Sequence, residues 1–225
     1  INFKGKQNNI CGVSITHLAE NGTAYSPREI KEISKVCKNN NLSLHMDGAR
    51  FSNALAYQKS LSPADITWKV GVDCLSLGAT KNGAMAAEVI IFFNKELAIE
   101  AKKLIKQTGH VLSKTRFISA QLNAWFRNSL WISLANKANF MASYLSSELC
   151  TFDEFKLVYP TQANEVFLEV SKETYQEMLK LNIISNLWSR VGHNNFILRF
   201  VTSFETEKSE IDELLSRINT FCSKC

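Results

Sequence analysis

The chain has 225 residues, 45% of them hydrophobic, and 26 Lys and Arg against 21 Asp and Glu give a formal net charge of +5. That length suits one large domain or one and a half and excludes a disulfide-stapled miniprotein, while no window reaches the roughly 18 consecutive apolar residues of a membrane span. With 9 Gly, 3 Pro and no block of Lys and Arg, the composition argues against low-complexity linkers and against a protein that tracks nucleic-acid phosphates.

The opening INFKGKQNNICGVSIT has no initiator Met and no charged-then-apolar signal region, and reads as the start of the carboxy-terminal part of a longer protein. Asn21-Gly22-Thr23 reads as a loop before the first helix. Ser26-Pro27-Arg28-Glu29 is a helix start, with Ser as cap, Pro at the first helical position and Glu returning to the cap amide. Ile30, Ile33, Val36 and Cys37 continue it as an apolar stripe. Residues 38–41 stop that helix, and 42–46 (LSLHM) read as a strand. A second start at Ser62-Pro63-Ala64-Asp65 predicts a short helix ending near Gly71, followed by a strand over 72–79. Residues 84–93 predict a third strand, mostly apolar, as one covered on both faces would be. Helix and strand alternate at the spacing of a parallel α/β sheet.

Within residues 95–149 the pattern is helical in three successive segments, 96–107, 115–126 and 131–149, too long and too rich in Ala, Lys, Leu and Glu for strands. Beyond them, strands are expected at 156–159, 165–170 and 196–201, and helices at 172–181 and 207–221. Ile211, Leu214, Leu215, Ile218 and Phe221 form the buried stripe of the last helix. The change in character divides the chain into a partial α/β domain over residues 1–135, with a mainly parallel sheet, and a small α+β domain over 136–225.

Cys11, Cys37, Cys74, Cys150, Cys222 and Cys225 mostly stand alone in apolar stretches, as small buried hydrophobes do. Cys222-Ser-Lys-Cys225 has redox or half-zinc-site spacing but no second pair and no nearby His. Reduced thiols point to a cytoplasmic protein.

Loops at the carboxyl ends of parallel strands form the crevice where functional groups collect. Asp47 and Arg50 close one predicted strand in His45-Met46-Asp47-Gly48-Ala49-Arg50, and Lys81 closes the next in Gly78-Ala79-Thr80-Lys81-Asn82-Gly83. One strand-helix-strand crossover separates them. Read as residues alone, Asp-Gly-x-Arg is most often a turn whose Asp bonds nearby amides, and a lone Lys such as Lys81 after a strand is most often solvated. A carboxylate and an amine among small residues are also the two groups that pyridoxal phosphate requires: an amine for its aldehyde and a partner for its ring nitrogen.

HMDGARFSNA, GVDCLSLGATKNG, GHVLSKTRFISAQ and LRFVTSFET together resemble the low-specificity L-threonine aldolases, enzymes of the PLP-dependent transferase-like fold (fold type I), and the resemblance runs through essentially the whole chain. It implies pyridoxal 5'-phosphate as cofactor and retro-aldol cleavage of L-threonine or L-allo-threonine to glycine and acetaldehyde. It implies that Lys81 holds the cofactor aldehyde, with small apolar neighbours favouring the neutral amine, and that Asp47 bonds the ring nitrogen. Arg50 and Arg199 match arginines that bind the substrate carboxylate, for which a guanidinium fork is suited. Arg116 matches an arginine near the cofactor phosphate, reaching a neighbouring subunit's site. As a residue alone it is a helix-face charge, and Arg199 a strand-end charge. His45 supports Asp47 from the same side of the strand, His110 lines the pocket, and His17 and His193 belong to loops or surface.

The family's phosphate loop and its two histidines would precede residue 1, so the chain alone is expected to bind the cofactor weakly. A homotetramer, as a dimer of dimers with shared sites, is implied for the whole protein, with neither nucleic acid nor membrane as partner. Another fold-type I activity, β-elimination or amino transfer, would use the same Asp47 and Lys81, and an inactive scaffold remains the non-enzyme alternative.

Overall fold

The structure, a computed structural model, describes residues 11–183 and 185–222. Strands β1 (Gly12–Thr16), β2 (Ser43–Gly48), β3 (Cys74–Gly78) and β4 (Glu88–Phe92) form one sheet in that order. The first three run parallel, and β4 is antiparallel to β3. Helix α1 (Pro27–Asn39) carries the chain from β1 to β2. Its capping box is closed: Glu29 N donates to Ser26 Oγ at 3.3 Å and Ser26 N to Glu29 Oε2 at 2.8 Å. Ile30 and Cys37 then share a core with Leu44 and Met46 of β2.

Between β2 and β3 lie helix α2 (Phe51–Tyr57) and two 3-10 turns, Pro63–Ile66 and Trp68–Val70. Six of the seven α2 residues are buried. A helix covered almost all round has no polar face, which is why no amphipathic period marks it. Strand β1 is equally silent, being five residues long with one buried position. The expectation for β4 is corrected: Glu88 is exposed and Ile90 is 55% exposed. An apolar composition there reflects an edge strand left open among the described residues, not a strand covered on both faces.

Helices α3 (Lys95–Gln107), α4 (Arg116–Phe126) and α5 (Leu130–Leu149) follow. The 20-residue α5 joins two cores. Trp131 and Leu134 pack with the first sheet, whereas Met141, Ala142, Leu145 and Leu149 pack with a second. That second sheet contains β5 (Lys156–Leu157), β6 (Glu165–Ser171), β7 (Asn186–Val191) and β8 (Asn195–Val201), antiparallel in the order β5-β6-β8-β7. Helices α6 (Lys172–Lys180) and α7 (Lys208–Ile218) complete it. Ile211 and Ile218 are buried in the second core, with Leu214, Leu215 and Phe221 partly so. Strand β7 is exposed at all six positions, so it carries no inward and outward alternation to read. No helix among the described residues is long and apolar enough to cross a membrane.

Two further expectations change. Cys37 and Cys222 are buried, but Cys11 and Cys150 are exposed; Cys11, Cys37, Cys74, Cys150 and Cys222 are all free. Cys225 lies outside the described residues. Burial, reinforced by the Glu154 charge, pushes the Cys222 thiol up to about 12, the reverse of what a redox cysteine needs. No metal-binding cluster occurs among the described residues.

His17, expected in a loop or at the surface, does lie in the bend that follows β1 but is fully buried there. Its backbone N donates to the Asp47 carbonyl at 2.8 Å, and its ring lies between Tyr25, stacked at 6.1 Å, and the edge of Phe51 at 6.2 Å. Neither ring nitrogen has a partner among the described residues. Burial pushes its pKa down to about 4. The unfolded chain therefore takes up a proton near the ordinary imidazole value while the folded ring stays neutral, so stability falls as pH drops through that window. Lowering the pH from 7 to 5 should cost about 2 kcal/mol through this ring. Urea titrations at both pH values check it, and His17→Leu should lose that part of the acid dependence.

Candidate active site

The site is built where the parallel strands end. The pleat of β2 buries Leu44, Met46 and Gly48 on one face and leaves His45 and Asp47 half-buried on the other. Thr16, Asp47 and Ser76 stand in register across three strands. His45 clamps those strands: Nδ1 lies 2.8 Å from Ser14 Oγ and Nε2 lies 2.9 Å from Ser76 Oγ. With both nitrogens engaged, its place beside Asp47 is held by neighbours on either side.

Asp47 Oδ1 accepts the Ala49 N–H at 3.0 Å, which is the turn that Asp-Gly sequences favour. The turn occupies one oxygen only. Oδ2 has no bonded partner among the described residues and is left to accept from a ligand. The turn also sets Arg50 directly before α2.

Beyond β3 the chain makes a 3-10 turn, Thr80–Asn82, in which every side chain but one is committed. Thr80 Oγ1 accepts the Ala87 N–H at 3.1 Å. Asn82, buried, donates to the Trp131 carbonyl at 2.7 Å, and its own carbonyl accepts from Trp125 Nε1 at 2.8 Å. Gly83 has φ +104, where a Cβ would lie 2.6 Å from Leu134. Lys81 is exposed and, unlike Thr80 and Asn82, makes no hydrogen bond or ion pair with a described residue. This corrects the expected apolar enclosure of Lys81: the small residues of the segment serve packing, Ala79 being fully buried, and the ammonium stands clear of them. Packing also joins the two loops. A Cβ on Gly78 would lie 3.0 Å from the Ala49 Cα, so glycine there lets the lysine turn and the aspartate turn touch.

Arg50 and Arg199, 149 positions apart, are brought together. Arg50 Nη2 lies 3.2 Å and Arg199 Nη1 3.5 Å from the same oxygen, Oε1 of Glu165. Arg199 also lies over the Trp188 ring, 4.9 Å from its centroid, a favourable cation–π placement. Glu165 opens β6 and is 4% exposed, against 20% and 23% for the two arginine side chains. Burial pushes its carboxyl above the ordinary range, and the charges of Arg50, Arg199 and then Lys81 pull it back. Lys81 thus stands within electrostatic reach of the arginine pair. Without the shared anion, the two guanidiniums would repel one another. Each uses a single nitrogen on Glu165, and Nε of both is buried without a partner among the described residues. The cluster retains one net positive charge and unused donors, the features of a carboxylate receptor.

Sequence reasoning missed Glu165. Its signal is a charged residue opening a strand whose first four positions are all buried, since a buried carboxylate requires a cationic partner. Asn164 fixes it there, its Nδ2 donating to the Thr202 carbonyl at 2.8 Å.

Other expected residues lie elsewhere. Arg116 begins α4, exposed, with no polar contact to Asp47, Lys81 or the arginines. His110 bonds Thr108 Oγ1 at 3.0 Å and lines a groove with Lys102, Ile105 and Leu112 rather than with Lys81. His193 is exposed in the turn between β7 and β8.

The chain is similar to the low specificity L-threonine aldolase of Pseudomonas sp. (strain NCIMB 10558), 39% identical over 94% of this chain and 60% of that protein. It is 38% identical to the enzyme of the same name from Pseudomonas aeruginosa, over 90% of this chain and 57% of the relative. It therefore spans about 60% of the length of these curated relatives. In three dimensions it is similar to a Leishmania major threonine aldolase, with TM-score 0.84 and 29% identity over 93% of this chain and 60% of that one. That likeness places the parallel sheet, the helices and the second antiparallel sheet in fold type I. Residues 3–173 match the family described as Beta-eliminating lyase, and the chain belongs to that family.

Proposed function

We propose that the whole protein containing this chain is a pyridoxal-phosphate-dependent aldolase that cleaves L-threonine or L-allo-threonine to glycine and acetaldehyde. The cofactor is that of the family, and the reaction is the one named for the similar proteins. The observation that carries the reading is the meeting of Arg50 and Arg199 on one buried Glu165 oxygen, within the field of Lys81 and beside the contact that joins the Lys81 and Asp47 loops.

The residues present fit the cofactor. Asp47 keeps one carboxylate oxygen for a ring N–H, Lys81 has an uncommitted amine, and Gly78 and Ala49 leave no bulk between the two loops. When bound, the cofactor supplies an aldehyde that condenses with amines and a protonated ring that accepts the electron pair of the broken Cα–Cβ bond. Lys81 would hold it through its uncommitted amine. Asp47 keeps the ring nitrogen protonated by charge. Arg50 and Arg199 bind the substrate carboxylate and fix which Cα bond is presented for cleavage. Arg116, exposed at the start of α4, is assigned to the cofactor phosphate of a neighbouring subunit.

In this reading residues 1–135 belong to the large domain and 136–225 to the small one, with the arginine pair drawn from both. A cytoplasmic homotetramer is supported by the free cysteines and by the exposed Ile99, Leu104, Leu112 and Phe117 of the α3–α4 region, which subunit contact would cover.

Threonine incubated with the whole protein should yield glycine and acetaldehyde. Ammonia and pyruvate would instead establish β-elimination, and the absence of carbon–carbon cleavage would exclude the aldolase. Arg199→Lys keeps the charge but loses the planar fork. It should lower kcat/KM about 10- to 100-fold, mainly through KM, the magnitude of a charged hydrogen bond. Steady-state kinetics against threonine concentration reads this directly.

A further inference from the structure

Glu165 lies beneath the two arginines rather than beside them. The Glu165 side chain is 4% exposed, while the Arg50 and Arg199 side chains keep about a fifth of their exposure. The three residues come from different parts of the fold. Arg50 follows β2 of the first sheet, whereas Glu165 and Arg199 lie on the paired strands β6 and β8 of the second. Phe167, in register with Arg199 and edge-on to Trp188 at 5.4 Å, backs the stack on which Arg199 rests. The buried oxygen is therefore the one group that tethers the first-sheet arginine to the second-sheet arginine. Neither guanidinium has another hydrogen bond or ion pair among the described residues.

We infer that Glu165 is a positioning residue, an internal anion that holds Arg50 and Arg199 at convergence so that their outward donors form one receptor for the α-carboxylate of an amino acid. The inference rests on the proposed function. An oxygen shared from below offsets the mutual repulsion of the two cations yet leaves most of their ten N–H donors unused. An incoming carboxylate then neutralises the remaining positive charge. Because Glu165 sits behind the guanidiniums, it supports that seat instead of filling it.

The test is the binding of two small amines to the whole, cofactor-loaded protein by calorimetry: glycine, which carries the carboxylate, and ethanolamine, which does not. Glu165→Gln keeps the shape and removes the charge. It should weaken glycine about tenfold or more while changing ethanolamine less than about twofold, with the threonine KM rising and kcat nearly kept. Glu165→Asp keeps the charge one methylene farther back and should lose only a few-fold in glycine affinity, which preserves the test if the glutamine variant does not fold. Glycine binding unchanged in both variants, or glycine and ethanolamine weakened equally, overturns the positioning role. A wild-type protein that does not distinguish glycine from ethanolamine overturns the carboxylate receptor itself, and the proposed function with it.

Discussion

Lys81→Ala is expected to abolish threonine cleavage in the whole protein, lowering kcat by about 10³-fold or more, because in the proposed reading this side chain is the covalent anchor of the cofactor. The same change should leave folding intact. Lys81 is exposed and unpaired, and the turn that carries it is held by Thr80, Asn82 and Gly83 through groups the substitution does not touch. Its stability cost should stay within about 0.5 kcal/mol, as for ordinary surface changes. Two measurements decide the matter. Borohydride reduction with added pyridoxal phosphate, followed by peptide mapping, should place the label on Lys81 in the native protein and nowhere in the variant. Thermal melts of the two cofactor-free proteins should coincide. A label on any other lysine would remove the central assignment.

Asp47→Asn should produce the second largest loss. Asparagine can keep the turn through its carbonyl oxygen and the Ala49 N–H, so the loop that also carries Arg50 is preserved. In the proposed role, what disappears is the negative charge that would keep a ring nitrogen protonated. A charge-assisted hydrogen bond is about twice as strong as a neutral one, and its loss alone weakens binding about 10- to 100-fold. A further loss in kcat is expected because the same proton makes the ring accept electrons. The whole protein's cofactor dissociation constant and kcat, measured together, separate the two effects. Unchanged affinity and turnover in Asp47→Asn would show that the carboxylate is only a turn residue.

The parts that could be read in the residues and the parts that could not differ by locality. Ser26 and Glu29 announce α1 because a capping box is satisfied within four residues, whatever the rest of the chain does. The stripes of α1 and α7 are readable for the same reason, since one helix face repeats every three or four positions. Strand β7 and helix α2 carry no such period: one is exposed throughout and the other buried almost throughout. His17 is hidden by Tyr25 and Phe51, neighbours that its own segment does not reveal.

The site divides in the same way. Asp47 and Lys81 stand out in the sequence as candidates because each closes a strand in a loop of small residues, though the residues alone also fit a turn and a solvated lysine, and the resemblance to a family supplied their roles. Arg50 and Arg199 were reached through resemblance to a family, and their convergence could not be derived from spacing. Only the tertiary structure placed them on one oxygen and disclosed Glu165 beneath. The physical reason is that charge coupling depends on distance and burial. Both are set by how α5 packs on α2 and on β6, and by the pairing of β6 with β8, contacts between distant segments that no local pattern encodes.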